Sequence, residues 1–270
     1  MLLLYVLAGA APAHAQWAYD ADRQLLFIHI PKTGGTAVEA AMAEHIHADT
    51  RGNMHTLMQC TPPNFASFGS SAIVVHMPEV YALAAIRSCL HQPTANLTTF
   101  AIVREPIELR LSAWRWIKSD SAHPWWRINY NRSFSEYFES GDYLRLPNDI
   151  HAGAVFGLHQ SSFLGRFTTL FQYERMELAV TFLRRFYPHM HLTRRNDVAG
   201  TEGHGDAEAT AEAARMEAAR VTPRARAILE HQYADDFALW RFVRDSGGQV
   251  LTRSHTISHA DPIACHHLLV

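Results

Sequence analysis

FIHIPKTGGTAVE, running from Phe27 to Glu39, decides how the rest of this 270-residue chain is read. An apolar run, Leu25–Ile30 (LLFIHI), ends on Pro31-Lys32. Two glycines follow, and then an amphipathic stretch begins. A short, nearly continuous apolar run suits a strand covered on both faces, as in a parallel sheet. From Thr36 to Ala48, the residues Val38, Ala41, Met42, His45 and Ile46 share one stripe at helical spacing. The unit is therefore strand, glycine loop, helix. Gly34 and Gly35 let the backbone turn sharply and approach an anion closely. The N–H groups of residues 33–36 would then face a phosphate, helped by the helix N-terminus. Thr33 and Thr36 add hydroxyl donors, and Lys32 adds a point charge. In the usual nucleoside-triphosphate loop, G-x-x-x-x-G-K-[ST], the lysine follows the glycines. Here Lys32 precedes Gly34 and Gly35. The order raises the question of which phosphate compound takes its lysine first.

Further along, Ala72–Val75 (AIVV) reads as a second buried strand, ending at His76-Met77-Pro78. Val80–Leu90 reads as a helix. Thr98–Val103 (TTFAIV) is a third strand and ends at Arg104-Glu105-Pro106, with Pro106 well placed in the first turn of a helix reaching about Lys118. Thr168–Gln172 is a fourth strand, followed by a helix from Glu174 to Phe186. Residues 49–70 and 193–206 read as loops, and Ala207–Arg220 as a helix. Pro223–Arg244 reads as one last helix with Ile228, Leu229, Tyr233, Phe237, Trp240 and Val243 inward. Strands alternating with helices predict an α/β fold. The expected form is P-loop-like and three-layered, with a mainly parallel central sheet flanked by helices. It forms one domain over residues 16–250, followed by an irregular tail over 251–270.

In an open α/β sheet, ligands bind beyond the carboxyl ends of the strands. The first three predicted strands end on Lys32, His76 and Arg104, which converge if the strands are neighbours. Arg104 is followed eight residues later by Ser112, two helical turns on. A guanidinium and a hydroxyl together hold a phosphate well. The competing reading is an ion pair of Arg104 with Glu105 or Glu108, and an ordinary helical serine.

PKTGGT after a strand, followed about seventy residues on by V-R-E-P-I-x-x-R-x-S-A-W, resembles the sulfotransferases that use 3′-phosphoadenosine 5′-phosphosulfate (PAPS). The chain looks most like the Golgi carbohydrate group that includes the heparan sulfate 2-O and 6-O enzymes. LSAWRWIK followed by HPWW is similar to the 6-O enzymes and to plant tyrosylprotein sulfotransferases, and LFQYERMELAVTFL and HQYADDFALWRFV are similar to downstream segments of the group. The likeness spans roughly residues 25–245 and is strongest at the two phosphate motifs. It implies that Lys32, Thr33, Gly34, Gly35 and Thr36 hold the 5′-phosphosulfate. It implies that Arg104 and Ser112 hold the 3′-phosphate. PAPS is then a co-substrate, the bisphosphate PAP a product, and no metal is required. Separate 5′ and 3′ groups need two anion sites, which answers the lysine-first order.

The acceptor hydroxyl must lose a proton, so a positioned base is expected. His45 falls on the apolar helix face, and His47, His55 and His91 have no positional argument. Related glycan enzymes place a catalytic histidine in this interval, and VVHMP resembles that position, which points to His76 with Lys32 as the catalytic pair. Glu79 or Glu105 is the fallback base. Trp114, Trp116, Trp125 and Trp126, with Arg115, Lys118 and Arg127, would make a wall that stacks on sugars and reads anions, or else a tryptophan core. Arg195, in Arg194-Arg195-Asn196, sits in a loop that would reach the donor or an acidic acceptor, or else is a solvated turn. His29 reads as a buried core residue.

Formal net charge is −2, with no global basic signal for nucleic acid. The N-terminus MLLLYVLAGAAPAHA reads as a signal peptide or truncated anchor over residues 1–15, with an A-x-A site ending at Ala15. Membrane association would come only through that segment. Sequons at Asn96 and Asn131 agree with the secretory route. Cys60 and Cys89 are the preferred disulfide pair of three cysteines, and the His-rich tail around Cys265 has no zinc spacing. The expected setting is the Golgi lumen or the extracellular space, and the expected partner a polysaccharide or glycoprotein. Three other readings stand beside it: a tyrosylprotein sulfotransferase, a nucleoside-triphosphate phosphotransferase, and a non-catalytic glycan-binding relative. The phosphotransferase would need a lysine after the glycines and an acidic Mg²⁺ ligand at a strand end. The glycan-binding relative would be expected to have lost donor-site residues.

Overall fold

The computed structural model describes residues 18–46, 78–119, 131–141, 159–165, 168–192 and 220–251. They form an α/β fold around one mixed sheet of five strands. The strands are β1 (Ala18–Asp20), β2 (Leu25–Ile28), β3 (Thr98–Val103), β4 (Thr168–Gln172) and β5 (Gln249–Leu251), and they lie in that order across the sheet. β2, β3 and β4 run parallel, with Phe27 beside Phe100 and Phe100 beside Thr169. β1 and β5 run antiparallel at the two edges. The α-helices are α1 (Gly35–His45), α2 (Glu79–Cys89), α3 (Pro106–Ser119), α4 (Phe134–Glu139), α5 (Met176–Leu183), α6 (Pro223–Gln232) and α7 (Ala234–Asp245).

The central strands are continuous apolar runs because helices cover both of their faces. On one face Leu25, Phe27, Phe100, Ile102 and Phe171 pack against Val38 and Met42 of α1 and Phe182 and Leu183 of α5. On the other, Leu26, Ile28, Ala101, Val103 and Leu170 meet Ala82 and Ile86 of α2 and Leu239 and Val243 of α7. The alternation follows the two-residue period of a strand. A separate apolar cluster joins α3, α4, α6 and α7 through Leu111, Trp114, Phe134, Phe138, Leu229 and Phe237. A capping box at Ser133 and Glu136 starts α4.

The strands Thr98–Val103 and Thr168–Gln172 fall where the sequence predicts them. The final predicted helix does not stay whole. It divides at Tyr233, whose φ of −110° and ψ of 32° leave the helical region. Tyr233, Leu229, Phe237 and Val243 are buried, while Ile228 and Trp240 are only partly so. The predicted Glu174–Phe186 helix begins instead with a 3-10 turn, Tyr173–Arg175, and α5 ends at Leu183. β5 carries the sheet to Leu251, one residue into the predicted tail. The predicted strand Ala72–Val75 and helix Ala207–Arg220 lie outside the described residues. No helix among the described residues is long and apolar enough to cross a membrane.

Glu79 ties α2 to the sheet. Its carboxylate accepts the Gly165 N–H at 2.6 Å and the hydroxyl of Thr168 on β4. Glu79 is buried, and that burial pushes its pKa up against the hydrogen bonds of Thr168, Gly165 and Thr99. Glu79→Ala would remove both bonds to the carboxylate, each worth about 1.5–3 kcal/mol for a bond to a charged group. The expected result is a urea midpoint shift equivalent to at least about 2 kcal/mol.

Candidate anion site at the ends of the parallel strands

Lys32 and Arg104 come together because β2 and β3 are parallel neighbours that end at the same edge. The Arg104 Nη1–H donates to the Lys32 carbonyl at 3.1 Å. Its guanidinium lies over the Tyr173 ring at 4.4 Å, and its Nε is buried with no hydrogen-bond partner. Glu108 approaches Arg104 only at 3.7 Å, one helical turn on. The Lys32 ammonium lies over Trp116 at 5.4 Å, and no described carboxylate pairs with it. Two cations are therefore held side by side, and their mutual repulsion is visible in the lysine. Burial first, and the Arg104 charge second, lower the Lys32 pKa to about 8.

The loop between them is shaped for an anion. Lys32 has φ 64° and Gly34 φ 82°, both left-handed, with Thr33 between them. Such alternation turns successive N–H groups toward one point. Among the described residues, the N–H groups of Thr33, Gly34, Gly35 and Thr36 find no acceptor. The Thr33 hydroxyl does not join them: it donates to the Ile30 carbonyl at 2.8 Å and closes the turn. The Thr36 hydroxyl is exposed on the first turn of α1. The two glycines serve different needs. Gly34 takes the left-handed backbone, and a Cβ there would also press on Tyr173. Gly35 is helical, but a Cβ there would enter the His29 ring.

His29 supports the loop from beneath. It is buried, and its Nδ1 lies 2.9 Å from the Glu39 carboxylate of α1. Burial and the Lys32 charge hold its pKa down at about 3, so a neutral ring donates this bond.

Helix α3 forms the opposite wall. Glu108, Ser112 and Trp116 are spaced four apart and share one face. Glu108 lies at Arg104 and Trp116 at Lys32, and Ser112 is midway between them along that face. Ser112 is partly exposed, and its hydroxyl bonds no described residue. Trp114, another of the four tryptophans considered for this wall, goes elsewhere. Trp114 packs edge-on to Phe134 in the α3–α4–α6–α7 core, and Lys118 caps its ring at 4.4 Å while donating to the Arg132 carbonyl at 3.3 Å. Arg115 is partly exposed on the same helix. Tyr173, which touches both Gly34 and Arg104, was missed in the sequence. It is the first residue beyond the carboxyl end of β4, which is the signal that could have found it.

Glu105 is the N-cap of α3, accepting the Glu108 N–H at 2.7 Å. Burial pushes its carboxyl pKa up to about 7 against that bond, with help from Glu108 and Glu174. Glu79, the other fallback base, is consumed by its structural bonds. His45 stacks on Tyr187 at 5.2 Å, and His91 is exposed. His76, His47, His55, Arg127, Arg195, Trp125, Trp126, Cys60 and Cys265 lie outside the described residues. Asn96 and Asn131 are both exposed. Among the described residues, no three His, Cys, Asp or Glu side chains gather as metal ligands would. Compared with known proteins, the chain matches no family model, no curated protein and no solved structure.

Proposed function

We propose that this chain is a PAPS-dependent sulfotransferase of P-loop-like, three-layer fold, acting on a glycan hydroxyl in the secretory pathway. The observation that carries the reading is the pairing of Lys32 with Arg104 beside a cup of N–H groups that find no acceptor among the described residues, with no described carboxylate between them. The 5′-phosphosulfate would lie in the loop of residues 32–36. The 3′-phosphate would lie between the unsatisfied Arg104 Nε and Ser112.

Sulfuryl transfer is an in-line displacement. The acceptor oxygen bonds to sulfur, the bond from sulfur to the 5′-phosphate oxygen breaks, and PAP leaves with the negative charge. Lys32 stabilises that charge as it grows. As in phosphoryl transfer, positioning and charge neutralisation supply most of the catalysis. A base takes the acceptor proton, and His76 holds that role in this proposal. Glu105 is a second candidate, because a carboxyl with pKa about 7 is matched to proton transfer near neutral pH. The partly exposed Trp116, over which the Lys32 ammonium lies, is suited to stack on a sugar ring.

Incubation with radiolabelled PAPS and a panel of glycans and tyrosine peptides tests the reading. The expected result is label on a glycan. Label on the peptides alone would favour a tyrosylprotein enzyme, and transfer from ATP a phosphotransferase. Binding of PAP without transfer to any acceptor would favour a non-catalytic relative, and no binding of PAP would reject the donor site. His76→Ala should abolish transfer while PAP still binds. If Glu105→Gln does so instead, Glu105 is the base.

A further inference from the structure

Arg104 sits one residue past the end of β3, where the paired strand β4 has already reached its last partner, Gln172. Its backbone should be unsatisfied there. Instead the side-chain amide of Gln160 takes both bonds. The Arg104 N–H donates to Gln160 Oε1 at 2.9 Å, and Gln160 Nε2 donates to the Arg104 carbonyl at 2.9 Å. The two bonds fix the orientation of the amide, since the backbone donor must meet the oxygen and the backbone acceptor the nitrogen. Gln160 thus extends the sheet ladder by one residue with a side chain.

The amide is itself held. Gln160 opens a 3-10 turn, Gln160–Phe163, whose first N–H donates to Asp236 Oδ1 at 2.6 Å. The Ser161 N–H reaches the same oxygen at 3.4 Å. Asp236, on α7, pairs with Arg110 of α3 at 3.3 Å, and Arg110 lies over the Tyr233 ring at 3.8 Å. Gln160, Asp236 and Arg110 are each no more than 1% exposed. A buried charge pair is weak evidence for stability, because desolvation offsets the attraction. A buried pair whose free oxygen aims a third residue at a binding site is better read as positioning.

We infer that Gln160, held by Asp236, is the positioning residue that aims Arg104 at the 3′-phosphate. This rests on the proposed donor site. The clamp fixes the backbone at Arg104, so the guanidinium stays over Tyr173 and beside the Lys32 carbonyl. A slack Arg104 would lose the 3′-phosphate and leave the 5′-loop intact.

Two nucleotides separate the effects. Adenosine 3′,5′-bisphosphate engages both anion sites, and adenosine 5′-monophosphate engages only the loop. Calorimetric titration of the whole protein should show the wild type preferring the bisphosphate by on the order of 10-fold or more, the effect of one charge-assisted contact. Gln160→Met keeps the size and removes both bonds, so that preference should collapse toward unity while affinity for the monophosphate stays within about 2-fold. A merely structural role would weaken both nucleotides equally and would overturn the inference. Unchanged preference in Gln160→Met would also overturn it. Should that variant fail to fold, Gln160→Glu keeps the acceptor for the Arg104 N–H and removes the donor, and it must show the same collapse. A wild type that binds the bisphosphate no better than the monophosphate would instead overturn the 3′-phosphate site, and the role of Gln160 with it.

Discussion

Lys32→Ala should lower turnover on the order of 10²–10³-fold, the usual effect of deleting one group aimed at charge that develops in a transition state. Affinity for adenosine 3′,5′-bisphosphate should fall far less. Arg104, the N–H groups of the loop and Ser112 all remain to hold the ground state, and only the growing charge on the leaving oxygen loses its partner. Equal losses in turnover and affinity would reduce Lys32 to an anchor. The variant should melt no lower than the wild type. Lys32 is a cation with no carboxylate partner among the described residues and sits beside a second cation, so the unliganded protein is destabilised by it.

The pH dependence follows from the same crowding. The folded pKa of Lys32 is about 8, below its ordinary value, so folding favours the neutral amine. The destabilisation is present below about pH 8, where the folded protein must hold the ammonium, and is relieved as pH rises from there toward the unfolded value of 10.5. An anion binds the charged form. Affinity for the bisphosphate should therefore be full below about pH 8 and decline above it. Lys32→Ala should show no such step. A wild-type titration flat from pH 7 to 10 would mean that the ammonium does not face the ligand.

Much of this was legible because local and global signals agree. Thr98–Val103 and Thr168–Gln172 are apolar and β-branched runs bounded by turn residues, and each is a strand to the residue. Pro106 fixes the start of α3. Once the strands are parallel neighbours, Lys32 and Arg104 must meet. Other features depend on contacts that no local pattern encodes. β1 and β5 are three residues long and partly polar, and they exist because the parallel core offers them an edge. No glycine or proline marks the break at Tyr233. The ring is held there by Arg110 from another helix, and packing overrides a continuous helical pattern. The sequence leaves the tryptophans open between one wall and a core, because nearness in sequence does not say which way each ring turns. A helix separates neighbours two residues apart, so Trp114 turns to Phe134 and Trp116 to Lys32. Gln160 was invisible for the same reason: its partner lies 56 residues away.

Gly35→Ala should be the most damaging substitution in the loop, although alanine is the better helix former. Gly35 begins α1 with ordinary helical backbone, so no strain argument protects it. The obstacle is His29. An added Cβ would lie 2.6 Å from the ring's Cγ and closer still to Cδ2 and Nε2. The ring cannot swing away. It is buried, stacked on Phe27 at 5.8 Å, and bonded to Glu39. Either α1 moves off the strand or the His29–Glu39 bond breaks inside the core. Overpacking alone costs about 1–3 kcal/mol, and the broken buried bond adds about 1–3 kcal/mol. Displacing α1 also swings the loop N–H groups away from the anion, so bisphosphate binding should be lost together with several degrees of melting temperature. Gly34→Ala meets a different barrier: the left-handed backbone costs about 1–2 kcal/mol, and the Tyr173 ring it would touch is a side chain that can shift. The decisive variant is Gly35→Ala combined with His29→Ala. If the ring is the obstacle, removing it makes room for the methyl, and the two changes should be less damaging together than their sum by about 1 kcal/mol or more. Strict additivity in thermal or urea unfolding would mean that the loop depends on Gly35 for its backbone and not for the space above His29.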